Sequence, residues 1–278
     1  MQCELFHLKD FYQFLGENGK DPIVEMYLPY NMVEMKRENL KRPCLVVCPG
    51  GGYGMCSERE SEPIALNFLS EGFNVFVIKY SVAPHRFPSQ LIEIAALMDL
   101  INKNGDSWNC DISKTTIIGF SAGGHLAAHF STMFDCEEVR RVFPESIGVS
   151  ASILSYPVIT ADPNYSHGGS FENLLGIKDV TENIINTYSC DRLVKENTPP
   201  AFIWHTAEDN AVPVMNSLLY ASALSRYNIP FELHIYPFGE HGSSTCDKHT
   251  LNDVSDGLKH AHTWIDSAKK WLRLMNLV

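Results

Sequence analysis

A chain of 278 residues has room for one extended core, and 45% apolar with 20% charged residues is the composition of a soluble globular domain rather than a disordered one. Thirty-three acidic against 22 basic side chains give a formal charge of −11, which argues against nucleic acid or an anionic bilayer as partner. No run approaches the ~18 apolar residues of a membrane span, and the first ten residues show no basic start followed by an apolar stretch, so a cytoplasmic protein is expected.

Along the chain, short β-branched runs alternate with longer helical patterns. The runs are apolar throughout, as strands buried on both faces of a parallel sheet must be. The first, residues 44–48, ends at Pro49-Gly50-Gly51-Gly52. Ser57 with Glu60 three residues on forms a capping box, predicting a helix that stops near Gly72. A strand over 75–78, a helix over about 90–104, a strand over 115–118 ending at Gly119 and a helix over about 124–134 follow. Residues 160–198 break the rhythm, being rich in Asn, Ser, Gly and Asp with a short helical piece at 181–188; they read equally as a lid over a site or as a packed surface excursion. A strand over 201–205 ends near Asp209, a helix covers 214–227, a last strand covers 231–236, and one helix is expected over 255–275. This order predicts an α/β fold, a mostly parallel central sheet flanked by helices, as a single domain over 1–278. In such sheets the loops leaving the carboxyl ends of the strands form the ligand crevice. The eight cysteines, at 3, 44, 48, 56, 110, 136, 190 and 246, contain no C-x-x-C pair and read as small, mostly buried apolar side chains.

Gly119-Phe120-Ser121-Ala122-Gly123 has the form G-x-S-x-G between a predicted strand and a predicted helix, the context in which a sharp turn presents a serine hydroxyl as nucleophile. The alternative is a purely structural tight turn. A serine needs a base that titrates near the working pH, normally a histidine, so activity is expected to rise with pH through ~6.5. Of eleven histidines, His241 lies in a glycine-flanked loop after the last strand. Asp209 falls between serine and histidine in sequence and would orient the imidazole. Glu208 is its rival, because a loop register is not fixed by sequence; Asp247 follows the histidine and has the wrong order. His125 and His129 are four apart, but H-L-A-A-H lacks the glutamate of H-E-x-x-H, so they read as helix-packing residues, with His125 behind the nucleophile turn. No metal or cofactor is invoked, and chelators are expected to do nothing. Gly50-Gly51-Gly52 can supply backbone N–H donors to an oxyanion, each worth ~3 kcal/mol, and the Ala122 amide follows the nucleophile. Phosphate-cradling glycine patterns are absent.

Four blocks, Pro49-Gly50-Gly51-Gly52-Tyr53, Tyr80-Ser81-Val82-Ala83-Pro84 with Phe87-Pro88, Gly119 to Ala127, and the Asp209–Pro213 and His241 segments, together resemble the esterase and lipase branch of the α/β-hydrolase superfamily. Within it the chain is similar to small bacterial acetylxylan and other carbohydrate acetyl esterases. The resemblance implies an α/β-hydrolase fold with a small lid-like insertion. It also implies a serine carboxylic ester hydrolase acting through an acyl-enzyme on short-chain esters, acetyl esters of sugars or xylo-oligosaccharides among them. By motif position, catalysis would fall to Ser121, Asp209 and His241, and the oxyanion hole to the amides of Gly51, Gly52 and Ala122. Tyr53 would line the acyl pocket or simply pack. Pro49 replaces the histidine of H-G-G-G, which weakens any inference to hormone-sensitive-lipase-type substrates. Such relatives are commonly dimers. An arylformamidase or a small peptidase shares the scaffold, although an oligopeptidase would be expected to carry a large accessory domain. A non-catalytic binding module is the alternative of another class, disfavoured because all the site residues occur together.

Overall fold

The computed structural model describes residues 1–278. In chain order, β1 (Gln2–His7), β2 (Ile23–Leu28) and β3 (Arg42–Cys48) precede α1 (Glu62–Leu69), β4 (Asn74–Lys79), α2 (Ser89–Lys103) and β5 (Cys110–Phe120). Next come α3 (Ser121–Met133), α4 (Glu137–Arg140) and β6 (Ala151–Ser155), then α5 (Gly168–Leu175), α6 (Glu182–Tyr188) and α7 (Cys190–Leu193). The chain closes with β7 (Ala201–Thr206), α8 (Met215–Arg226), β8 (Phe231–Tyr236), α9 (Asp256–Ala261) and α10 (Trp264–Leu274).

The eight strands form one sheet in the order β1-β2-β4-β3-β5-β6-β7-β8, antiparallel only where β2 pairs with β1 and β4. Side chains alternate across each strand, and β3 fills both sides. Cys44, Val46 and Cys48 join one core layer with residues of α2, α3 and α8, while Leu45 and Val47 join the opposite layer with residues of α1 and α10. Burial on both faces is why residues 44–48 of β3 read as an unbroken apolar run. The strand order reverses at β3, between β4 and β5, and the Gly50-Gly51-Gly52 and Ser121 segments leave the carboxyl ends of β3 and β5 at that switch point. No helix is long and apolar enough to cross a membrane. All eight cysteines are free thiols and five are buried.

The structure differs from expectation in several elements. Strands β1, β2 and β6 were not anticipated. The helix after the glycine loop does not open with a capping box: Ser57 makes no side-chain cap bond, the helix starts after Ser61, and the Glu60 carboxylate turns inward to other partners. The expected helix over 255–275 is broken at His262–Thr263. There the amides of Thr263 and Ile265 bond three residues back, while His262 Nδ1 and Trp264 Nε1 reach the carbonyls of Thr245 and Ser244. Docking onto that loop costs the helix its continuity.

Glu93, on the buried face of α2, is wholly enclosed. Its Oε2 accepts the Ser81 N–H at 2.8 Å, whereas Oε1 has no partner. Burial pushes the carboxyl up from 4.5 to about 7. The folded state therefore holds this proton more tightly than the unfolded chain, so stability is highest below pH 4.5 and declines as pH rises towards 7. A difference of that size is worth about 3 kcal/mol. Glu93→Gln keeps an acceptor for Ser81 and removes the charge. It is expected to raise the melting temperature by about 5 °C at pH 8, with a smaller gain at pH 5. Thermal unfolding at both pH values checks this, and an equal gain at the two would rule Glu93 out as the titrating group.

Candidate active site

The turn from β5 into α3 admits no side chain at its glycines. A Cβ on Gly119 would lie 2.1 Å from the Gly123 carbonyl oxygen, and one on Gly123 would lie 2.1 Å from the Cys48 oxygen and 2.4 Å from that of Pro49. The first turn of α3 thus rests directly on the end of β3. Between the glycines Ser121 takes φ 52°, a left-handed conformation that costs a non-glycine residue about 1–3 kcal/mol and is typical of functional positions. Ser121 is 6% exposed.

The loop after β8 brings His241 to this serine, its Nε2 2.8 Å from Ser121 Oγ. His241 Nδ1 lies 2.6 Å from Asp209 Oδ2, so in the working tautomer Nδ1–H donates to the carboxylate and Nε2 accepts from the serine. Asp209 sits in the turn after β7 and is buried. Its Oδ1 accepts the amides of Ala211 at 3.0 Å and Val212 at 2.8 Å, while His205 Nε2 lies 3.2 Å from Oδ2. Burial pushes the carboxyl up, but the bonds from His205 and His241 and the charge of His241 outweigh it, holding Asp209 far below the usual carboxylate range. Asp209 is therefore ionised across the working pH range. Its rival Glu208 is exposed and instead accepts the Gly239 amide at 3.1 Å. Asp247 accepts from Thr245 and His249 in its own loop.

Opposite the serine, the glycine loop takes φ 127° at Gly51 and 63° at Gly52. A Cβ at Gly51 would lie 2.2 Å from the Met55 carbonyl oxygen. The Gly50 amide is used, donating to Glu60 Oε2 at 2.7 Å, but those of Gly51 and Gly52 donate to no protein acceptor. Ala122 is the second residue of α3, so its amide has no intrahelical partner either. Tyr80 steadies the loop by donating to the Pro49 carbonyl at 2.6 Å. Of the two roles open to Tyr53, packing is the one its environment describes: it is 1% exposed and its hydroxyl meets His125 Nδ1 at 2.8 Å.

His125 uses its other nitrogen on the Tyr188 carbonyl at 2.9 Å, and burial lowers its imidazole to about 4 and that of His129 to about 3. Both are neutral packing residues, and His125 ties the glycine loop through Tyr53 to the last residue of α6. Within residues 160–198, the stretch from His167 to Asn173 adjoins the glycine loop. Asn173 of α5 donates to the Gly52 carbonyl at 2.9 Å, and the Arg86 guanidinium caps the Glu172 and Asn173 carbonyls. His167 packs against Gly52, its Cε1 3.9 Å from where a Cβ would stand, with Nδ1 2.8 Å from Ser170 Oγ. Burial and the nearby charge of His241 lower the His167 imidazole.

Three residues of this neighbourhood had no separate signal in the sequence. Glu60 was absorbed into an apparent capping box, His205 sits in an apolar strand and meets Asp209 only once the turn is formed, and His167 lies in the irregular segment.

An α/β sheet with serine, histidine and aspartate hydrogen-bonded in line at its switch point defines the α/β-hydrolase class. Residues 24–224 match the BD-FAE family, and the chain belongs to it. It is 38% identical over 241 residues to endo-1,4-beta-xylanase B of Butyrivibrio fibrisolvens, a match covering 83% of this chain and 37% of that protein. It is 32% identical over 238 residues to acetylxylan esterase of Xylanibacter ruminicola, covering 84% of this chain and 46% of the relative. The chain thus spans less than half the length of these two proteins. Among solved structures, the acetyl ester-xyloside bifunctional hydrolase from Caldicellulosiruptor lactoaceticus superposes with a TM-score of 0.83 at 33% identity, covering 99% of this chain and 97% of that one.

Proposed function

We propose that this chain is a serine carboxylic ester hydrolase that removes short acyl groups, acetyl above all, from sugars or xylo-oligosaccharides. One observation carries the proposal: a Ser121–His241–Asp209 hydrogen-bonded line beside a glycine loop in which two amides have no protein acceptor. Ser121 Oγ attacks the ester carbonyl while His241 Nε2 takes its proton, and Asp209 stabilises the imidazolium that forms. The amides of Gly51, Gly52 and Ala122 receive the oxyanion, at about 3 kcal/mol for each donor. His241 then protonates the leaving alkoxide, and a water deprotonated by His241 hydrolyses the acyl-enzyme. The enclosure of Ser121, 6% exposed, favours a small acyl group. The polar His167 and Ser170 beside Gly52 suit a hydroxylated alcohol, and the relatives named for xylan and acetyl esters support the same class.

The test compares hydrolysis of p-nitrophenyl acetate, p-nitrophenyl decanoate, acetylated xylo-oligosaccharides and a formyl anilide. Acetate is expected to exceed decanoate by at least about tenfold in kcat/KM, since each methylene that a pocket cannot accept costs ~1–3 kcal/mol. Acetate release from the oligosaccharide is expected at a comparable rate. Preference for the formyl anilide would replace the sugar-esterase proposal with an amidase.

A further inference from the structure

Glu60 is a buried carboxylate that the proposed reaction does not use, at 3% exposure in the short turn before α1. Its Oε2 accepts the Gly50 amide at 2.7 Å, and its Oε1 lies 2.6 Å from the Tyr156 hydroxyl. The Tyr156 oxygen already accepts the Ser244 amide at 2.9 Å, so the hydroxyl proton points to Glu60, and both contacts are ones that a carboxylate accepts. Ser244 belongs to the loop that carries His241. Its hydroxyl returns to the Arg59 carbonyl at 2.5 Å, next to Glu60 in sequence, and its carbonyl accepts Trp264 Nε1 at 3.0 Å. The Tyr156 ring meets the His241 ring edge-on, centroids 5.1 Å apart.

We infer that Glu60 is a positioning residue that joins the oxyanion loop to the general-base loop through Tyr156 and sets a second negative charge behind the His241 imidazolium. The inference rests on the reaction proposed above. An oxyanion hole and a base on separate loops are effective only at fixed mutual distance, and a misplacement of ~1 Å costs on the order of 100-fold. The chain Gly50–Glu60–Tyr156–Ser244 fixes that distance with three direct hydrogen bonds. It also spends the Gly50 amide, leaving those of Gly51 and Gly52 for substrate. Burial pushes the Glu60 carboxyl above its ordinary range; the bonds from Tyr156 and Gly50 and the charges of His241 and Arg59 work against burial and offset part of it. The charged or titratable groups facing His241 are Asp209 after β7, Glu60 and Arg59 before α1, Tyr156 after β6 and His167 from the segment beside the glycine loop.

Glu60→Gln presents a carbonyl to Gly50 but turns an NH2 towards a tyrosine oxygen that already accepts, so the hydroxyl proton loses its partner. On p-nitrophenyl acetate it is expected to lower kcat by about 10-fold to 100-fold with KM changed less than about threefold. With the charge gone, the acid limb of kcat/KM is expected to move down by about 0.5 pH unit. Tyr156→Phe keeps the charge and cuts the link to Ser244; about a tenfold fall in kcat with the limb in place is expected. An acid limb that stays put in Glu60→Gln overturns the inference, whatever its rate. If that variant does not fold, Tyr156→Phe decides: wild-type kcat overturns the inference and the tenfold fall supports it. Ser121→Ala, assayed alongside, separates the two levels. Full activity there removes the reaction itself, whereas an inactive Ser121→Ala with an unaltered Glu60→Gln removes only the role of Glu60.

Discussion

Ser121→Ala is expected to lower kcat on p-nitrophenyl acetate by about 10⁴-fold to 10⁶-fold, leaving only what the oxyanion amides and binding supply. The fold is expected to survive. Ser121 Oγ bonds only to His241 Nε2, so its removal orphans no buried donor. Alanine inherits the same left-handed backbone at φ 52° without adding bulk against the Gly50 backbone, where the fit is already close. Steady-state rates with thermal unfolding on the same preparations check both halves. A variant within tenfold of wild type would mean that another group attacks the ester. An inactive variant with a melting temperature lowered by more than about 5 °C would mean that the turn, rather than the hydroxyl, had been lost.

How much of this was legible in the sequence follows from what each residue depends on. Ser121, Asp209 and His241 each follow the carboxyl end of a strand; β7 and the second half of β5 are buried throughout and carry no charged residue, whereas β8, at the sheet edge, is only partly buried and is marked by its β-branched and aromatic residues rather than by an apolar run. The glycines around Ser121 were legible for the same local reason: a Cβ there would meet backbone that the strand–turn–helix geometry always puts there. Strand β2 follows a different rule. It runs antiparallel near the sheet edge, and only Val24, Met26 and Leu28 are buried, so its signal is alternation rather than a run. Strand β6, Ala-Ser-Ile-Leu-Ser, has little β propensity and is buried through tertiary contacts, such as the Trp204 indole donating to Ser155 Oγ at 2.8 Å.

Glu60 illustrates the limit more sharply. Locally, Ser57 and Glu60 satisfy every condition of a capping box, and a carboxylate on a solvated helix start would cost nothing. The fold instead encloses it because two donors from outside its own turn, Gly50 and Tyr156, converge there, the first 10 and the second 96 residues away. Pattern rules weigh neighbours within a turn of helix, so a group whose role is to connect two loops looks like an ordinary cap. The same holds for residues 160–198: their composition marks an irregular segment, but the Asn173 bond that ties it to the Gly52 carbonyl is set only in three dimensions.

Asp209→Asn is expected to be nearly as damaging as loss of the serine, although it changes one atom. Oδ1 faces two backbone N–H groups, from Ala211 and Val212, so the asparagine must keep its carbonyl oxygen on that side. Its NH2 is then forced to the Oδ2 position, against His241 Nδ1 at 2.6 Å and His205 Nε2 at 3.2 Å. His205 cannot relieve this, because its Nε2 also serves the Val212 carbonyl at 2.9 Å and Nδ1 meets Ser217 Oγ at 2.8 Å. His241 is left to accept at Nδ1 and carry its proton on Nε2, where it has no lone pair for the Ser121 hydroxyl. That tautomer is worth about a 10⁴-fold loss of kcat in a serine triad. The loss is expected to persist at every pH from 5 to 9, since the ionised Asp209 that it replaces does not titrate in that range. Asp209→Glu, which restores charge at a shifted position, is expected to recover part of the rate. An Asp209→Asn enzyme within about 100-fold of wild type would show that His241 reaches its productive tautomer without the carboxylate.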